Sequence, residues 1–320
     1  MDRLPTLLKK HFLPIGLVAV ALVGLSFPRP GIYMAGLPTQ YLAVSIIFIC
    51  SGMLLRTSEV RTALSAWKAT AWGCFSILFL TPLVGILVIF RLPLDPEFQV
   101  GLALFCCMPT TLSSGIALTT QARGNMALAL LLTVLTNTLG IFTVPFVLER
   151  LLEATGKVEL SGGALFLDMC LSILLPLAVG RLLQQFLGDW IGRNRARITM
   201  TSTLALISIP WMKFSQSADR LSHTASASLA LVVLAGALIH VLYLGINDGA
   251  SRLLRLPLEV RKALVILASQ KSLPVAMTVL AFLPVPAETK GLIAIPCVTS
   301  HLTQIFLDAF LASRWGHTTT

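Results

Sequence analysis

Charge is what this sequence has least of. Only 12% of its 320 residues are Asp, Glu, Lys or Arg, and acids are outnumbered by bases, 14 to 24. A chain with so few charges and 56% hydrophobic residues cannot clothe a soluble domain, so a polytopic membrane protein is the class that remains. Metal-ligand spacing is absent as well. The six cysteines (Cys50, Cys74, Cys106, Cys107, Cys170 and Cys297) all lie in apolar segments and read as small buried hydrophobes. His240 and His301 lack the HExxH spacing of a metal pair. Gly-x-Gly-Asp and Gly-x-Ser-x-Gly patterns are also missing, so nothing points to an intramembrane hydrolase, and no enzyme is expected. The formal net charge of +10 does not imply a nucleic-acid partner. The bases stand singly in loops with no aromatic-lined stripe, and they fit a membrane-orientation signal better.

What is present is a series of apolar runs. A length of 320 leaves room for about ten spans of roughly 20 residues and no appended soluble domain. The expected spans are His11–Phe27, Tyr41–Leu55, Ala69–Phe90, Glu97–Gln121, Met126–Val147, Gly163–Leu182, Ile198–Phe214, Ala225–Leu244, Arg261–Leu283 and Leu292–Leu311. Pro28 and Pro30, Pro93 and Pro96, Gly162 and Gly163, and Pro284 and Pro286 read as breakers between them. The basic N-terminus lacks a small-residue cleavage site before Pro28, so the first run is expected to be a retained span. With both termini cytoplasmic, 16 Lys and Arg fall in inside segments and 7 in outside segments, which supports ten spans. A bacterial inner membrane is the expected location, a plastid envelope the alternative.

Two of these runs are interrupted. Met108-Pro-Thr-Thr-Leu-Ser-Ser-Gly-Ile-Ala-Leu-Thr119 puts a proline, a glycine and five hydroxyls into the fourth. Gln270-Lys-Ser-Leu-Pro-Val-Ala-Met-Thr278 interrupts the ninth in turn with an amide, a lysine, a proline and two hydroxyls. A shift of 159 residues lays Ser113–Thr119 over Ser272–Thr278, and Thr136-Asn-Thr-Leu139 echoes Thr299-Ser-His-Leu302 at 163. Five spans per half is an odd number, so homologous halves, residues 1–156 and 157–320, would insert in opposite senses. The expected architecture is all-α, with ten transmembrane helices in two inverted five-helix repeats. At ~1.5 Å per residue, Pro109 lies about 18 Å into its span and Lys271 about 15 Å, near the middle of a ~30 Å core. Broken helices at that depth mark the binding site of a secondary transporter.

The residues also carry a resemblance. Pro109–Thr119, Ala122-Arg-Gly-Asn125, Asn137-Thr-Leu-Gly-Ile-Phe-Thr-Val-Pro145 and Gln270-Lys-Ser272 resemble the bile acid:sodium symporter family. They are more similar still to its branch of plant plastidial sodium/metabolite cotransporters and solute carrier family 10 member 7. The resemblance implies a panel and a core subdomain, crossing broken helices four and nine, and a small organic anion as substrate. No resident cofactor is implied, but sodium is the expected coupling ion. Ser114, Thr133 and Gln270 match positions that ligate sodium in such proteins. Gly115, Ala129, Ile266 and Ile77 stand where amide, hydroxyl, glutamate and glutamine ligands are implied, so the sodium site is degenerate.

Candidate substrate or ion residues are therefore Pro109, Thr110, Thr111, Ser113, Ser114, Asn125, Thr133, Asn137, Gln270, Lys271 and Ser272. A lysine at the bilayer centre costs ~3 kcal/mol or considerably more, so Lys271 should have a partner or a task. One reading pairs it with Asp168 or Asp308; the other lets its ammonium replace a missing sodium or bind the anion. Asn125 and Asn137 read more readily as helix caps or bridges than as ligands. Gly36, Gly52 and the Ala-rich eighth span read as close helix packing. Besides anion transport, two further functions fit: a cation/proton antiporter, which would want carboxylates at the crossing, and a non-transporting regulator of ion homeostasis. Lipid is the expected surrounding in every case.

Overall fold

The computed structural model describes residues 12–54, 66–111, 114–155 and 160–317. Among the described residues the chain is helical, with no strand. Helices α1 (Phe12–Ser26) and α2 (Pro28–Ala35) meet at a 100° bend. Pro28 and Pro30 do not form a loop here: they sit at the start of α2, where a missing N–H removes no hydrogen bond. Next come α3 (Thr39–Leu54), α4 (Trp67–Phe75), a π-helical turn (Ser76–Leu80) and α5 (Thr81–Ile89). The first broken span is α6 (Pro96–Cys107) with α7 (Ser114–Gln121), followed by α8 (Met126–Thr155).

The second part of the chain begins with α9 (Gly162–Met169), a π-helical turn (Cys170–Leu174) and α10 (Leu175–Gln216). Gly162 and Gly163 open α9 rather than forming a connector, with Ser161 Oγ accepting from Ala164 N. The expected loop between the sixth and seventh spans is also helical. Element α10 covers it as two helices joined across a kink, with non-helical dihedrals at Leu187 and Asn194. After α11 (Ala218–Ser222) and α12 (Ser226–Leu253) comes the second broken span, α13 (Leu258–Ser269) and α14 (Leu273–Phe282), and then α15 (Ala287–His317).

By length and composition, six helical segments can cross a membrane, or seven with α1 and α2 taken as one bent span. The chain is a multi-pass membrane protein. Its helices pack around α10 and α15 as two groups, joined where these two helices pack on each other. In one, α10 gathers α1, α2 and α3; in the other, α15 packs on α6, α12 and α14, with α13 against α12, α8 and α4. Close approach explains the first group. A Cβ on Gly52 would meet the Leu177 carbonyl at 2.3 Å, and one on Gly180 the Ile49 carbonyl at 2.1 Å, so only glycine lets these backbones touch. Gly236 on α12 similarly admits Ser300 of α15. Gly36 serves otherwise: it ends α2 and approaches only that helix's own carbonyls.

Candidate functional site where the broken helices cross

Proline makes both breaks. Pro109 has no N–H for the Phe105 carbonyl, which takes Met108 N–H at 3.2 Å instead, and Met108 turns extended (φ −70°, ψ 150°). Pro274 cannot donate to the Gln270 carbonyl, and Gln270 is extended too (φ −82°, ψ 147°). The two extended segments then bond each other. Ser272 N–H donates to the Pro109 carbonyl at 2.9 Å, and the Thr110 hydroxyl to the Leu267 carbonyl at 2.6 Å. Pairing across the crossing satisfies groups that lipid cannot.

Gln270 is the hub. Its Oε1 accepts the hydroxyls of Thr111 (2.8 Å) and Ser114 (3.3 Å), and its Nε2 donates to Asp308 Oδ2 at 2.6 Å. Thr111 Oγ1 also accepts Gly115 N–H at 3.0 Å. The other Asp308 oxygen lies 2.8 Å from His240 Nε2, while His240 Nδ1 faces the Ser269 carbonyl at 3.2 Å. A carbonyl only accepts, so Nδ1 carries a hydrogen.

Lys271 is 1% exposed, and its ammonium donates to the Ile77 carbonyl at 2.7 Å. Ile77 belongs to the π-helical turn, and the lysine charge also lies 5.8 Å from the Tyr243 ring. Pairing with Asp168 or Asp308 is thus overturned. Asp308 is engaged by His240 and Gln270, and Asp168 forms no ion pair with a described residue. The Lys271 peptide is held by one side chain: Gln304 Oε1 accepts its N–H at 2.9 Å and Gln304 Nε2 donates to its carbonyl at 2.8 Å.

Of the residues expected from the sequence, Pro109, Thr110, Thr111, Ser114, Gln270, Lys271 and Ser272 meet at the crossing. Asn137 joins them, donating to the Thr110 carbonyl at 3.0 Å. Asn125 does not: its Oδ1 caps α8 by accepting Leu128 N–H at 2.9 Å. Ser113 lies outside the described residues. Thr133 donates to the Ala129 carbonyl and lines a separate cavity of about 160 Å³. That cavity lies between the two packing groups, with Ser51, Thr199, Ser202 and Thr203 from one side and Ile116, Thr133 and Pro274 from the other. Sequence reasoning missed the four hydroxyls from α3 and α10 and Gln304; it did expect Asp308 to form an internal ion pair, and the partner is His240. An eye to Gln inside the tenth span would have found Gln304. Among the described residues no cluster of three His, Cys, Asp or Glu could hold a metal ion. Ser272 Oγ and Asn137 Oδ1 are buried without a hydrogen-bond partner among the described residues, which leaves polar atoms at the crossing open to a ligand.

A many-helix membrane protein whose broken helices bond each other beside a hydroxyl-lined cavity belongs to the class of transport proteins. The chain is a member of the SBF-like CPA transporter family, whose model matches residues 11–317. It is similar to "Probable sodium/metabolite cotransporter BASS4, chloroplastic" of Oryza sativa subsp. indica, at 34% identity over 96% of this chain and 76% of that protein. The Arabidopsis thaliana protein of the same name is 35% identical over 95% of this chain and 72% of its own length. "Sodium/bile acid cotransporter 7-A" of Xenopus laevis is 25% identical over 95% and 91%. The family and these relatives are transporters, not enzymes.

Proposed function

We propose that this protein is a secondary-active transporter that moves a small organic anion by alternating access. Its ten spans form two inverted five-helix repeats, residues 1–156 and 157–320. The long apolar segments become ten when α1–α2, α3 and α6–α7 are counted and Gly162–Gln216 is divided at Leu187–Asn194. Helices α1, α2, α3, α9 and α10 form the panel, and the rest form the core.

The observation that carries the reading is the crossing itself, placed beside the cavity between panel and core. Ile116 and Pro274, in the first turns of α7 and α14, both line that cavity. Helix N-termini favour negative charge, and the hydroxyls around them, those of Ser51, Thr133, Thr199 and Thr203 now donating to carbonyls of their own helices, can rotate to donate to a carboxylate or sulfate. Leu54 and Thr199 line the cavity near the Lys- and Arg-rich ends of the spans, which supports a cavity open to the cytoplasm with both termini on that side. A bacterial inner membrane fits this orientation. The names of the plastidial and vertebrate relatives support a sodium-coupled metabolite or bile acid cargo in those proteins.

Sodium coupling in this chain is degenerate. Gln270 Oε1 already accepts two hydroxyls, and apolar Ile266, fully buried, stands where the resemblance implies an acid. The Lys271 ammonium against the Ile77 carbonyl favours a second reading of the coupling, in which a tethered cation takes the role of the ion.

Purified protein in liposomes, assayed for counterflow with a panel of labelled mono- and dicarboxylates and sulfates, tests the function. Exchange of at least one anion above empty liposomes is expected. Flux of cations alone would favour an antiporter and sink the proposal. Cysteines placed at Gly188 or Gly192, both open positions, should be labelled from the cytoplasmic side only.

A further inference from the structure

A groove unrelated to the crossing runs along the lipid-facing side of α4. It is lined by Trp67, Lys68, Trp72 and Phe75 together with Leu253 and Arg255 at the end of α12, and its volume is about 570 Å³. Trp67, Phe75 and Leu253 are 65%, 51% and 85% exposed. Apolar surface of that extent on a membrane protein faces lipid, and tryptophans at the edge of a span mark the headgroup level.

Tails alone do not match this groove, because it holds two cations. Lys68 lies over the Trp67 ring at 5.9 Å. Arg255 follows α12 in a left-handed conformation (φ 52°), where the Leu256 N–H donates to the Ser251 carbonyl at 3.1 Å. Neither cation pairs with an acid among the described residues. Asp248 is taken by Arg252 (2.9 Å) and Arg261, and no Asp or Glu lines the groove. From the groove a column of rings descends the same helix. Trp72 to Phe75 is 5.9 Å between centroids and Phe75 to Phe79 is 6.4 Å, with Phe79 48% exposed.

We propose that this groove binds an acidic phospholipid, its phosphate held by Lys68 and Arg255 and an acyl chain lying along Trp72, Phe75 and Phe79. Two cations without a nearby acid select an anionic headgroup over a zwitterionic one, whose own ammonium they repel. The site also leads inward. The Trp72 indole donates to Asn247 Oδ1 at 3.1 Å, and the same oxygen accepts the Ser76 hydroxyl at 2.8 Å. Ser76 opens the π-helical turn whose next carbonyl, that of Ile77, holds Lys271. A bound lipid therefore braces one wall of the crossing.

The full chain is reconstituted in phosphatidylcholine nanodiscs doped with brominated phosphatidylglycerol or, in a second arm, brominated phosphatidylcholine. Quenching of tryptophan fluorescence is read in wild type and in K68Q/R255Q, with Trp67→Phe/Trp72→Phe locating the signal. Wild type should prefer the brominated phosphatidylglycerol by about tenfold, and K68Q/R255Q should lose that preference while melting normally. Equal quenching by the two lipids overturns the proposal. So does a preference that survives in K68Q/R255Q, or a groove shielded from both lipids because protein covers it.

Discussion

The hydroxyl of Thr111 donates to the amide oxygen of Gln270 at 2.8 Å, between residues 159 positions apart. That interval is the one that lays Ser113–Thr119 over Ser272–Thr278. An axis relating two inverted halves would pass where equivalent residues meet, and this bond supports placing it at the crossing. Through Gln270 the contact extends to Asp308 and His240, joining α7, α12 and α15 in one polar chain.

Gln270→Ala removes the partner of two hydroxyls and of a buried carboxylate oxygen. Each orphaned group costs about 1–3 kcal/mol, so the purified variant should unfold at least ~2 kcal/mol more easily. Anion exchange should fall with it. Gln270→Glu fills the same space but sets a second carboxylate against Asp308, and should melt lower still unless it gains a proton. A thermal melt equal to wild type in Gln270→Ala would contradict the hub.

Replacing Lys271 separates the two readings of coupling. If the ammonium acts as a tethered cation, wild-type anion uptake is the same in sodium and choline buffers. Lys271→Met then loses uptake by roughly tenfold or more, the scale of one charge-assisted hydrogen bond. Uptake by wild type that collapses in choline would return the role to sodium. A melt of Lys271→Met guards against misreading a folding defect.

The cavity predicts a blocking variant. Ser202→Phe places a ring in about 160 Å³ of space on the α10 side, away from the Gln270 chain. Exchange should drop to background while the melt shifts little, because the ring fills a void rather than a packed core. Activity close to wild type would move the substrate path elsewhere.

Gly180→Ala tests the panel. Its added Cβ would sit 2.1 Å from the Ile49 carbonyl, a backbone atom that cannot rotate aside. Overpacking of this kind costs about 1–3 kcal/mol, read as a lower melting temperature. Gly188→Ala, on the same helix with nothing within 4 Å, should leave the melt unchanged or slightly raised.

Much of this was legible beforehand. The breaks at Pro109 and near Pro274 follow from missing N–H groups, and the crossing gathers seven of the eleven expected site residues, with Asn137 bound to it. Segment boundaries were less legible around residues 183–197. Charged and polar residues there read as a loop, but most of them are helical, and the chain turns only where two helices join across a kink at Leu187 and Asn194. Asn125, read more readily as a cap than as a ligand, does cap α8. An asparagine at a helix start caps it whether or not a binding site is near.

By itself the sequence determined the solvent and the place of the interruptions along the chain. Sparse charge excludes water as the surrounding of most side chains, and a proline set among polar residues marks where a span breaks, whereas Pro145, Pro210 and Pro296 in apolar stretches stay inside helices. Partners were decided only by tertiary structure. Lys271 has no carboxylate but a carbonyl 194 residues away, Asp308 is matched to His240 across 68, and Gln304 replaces the lost backbone partners of Lys271 across 33. In lipid any buried donor must find an acceptor, and which one it finds depends on how the helices pack.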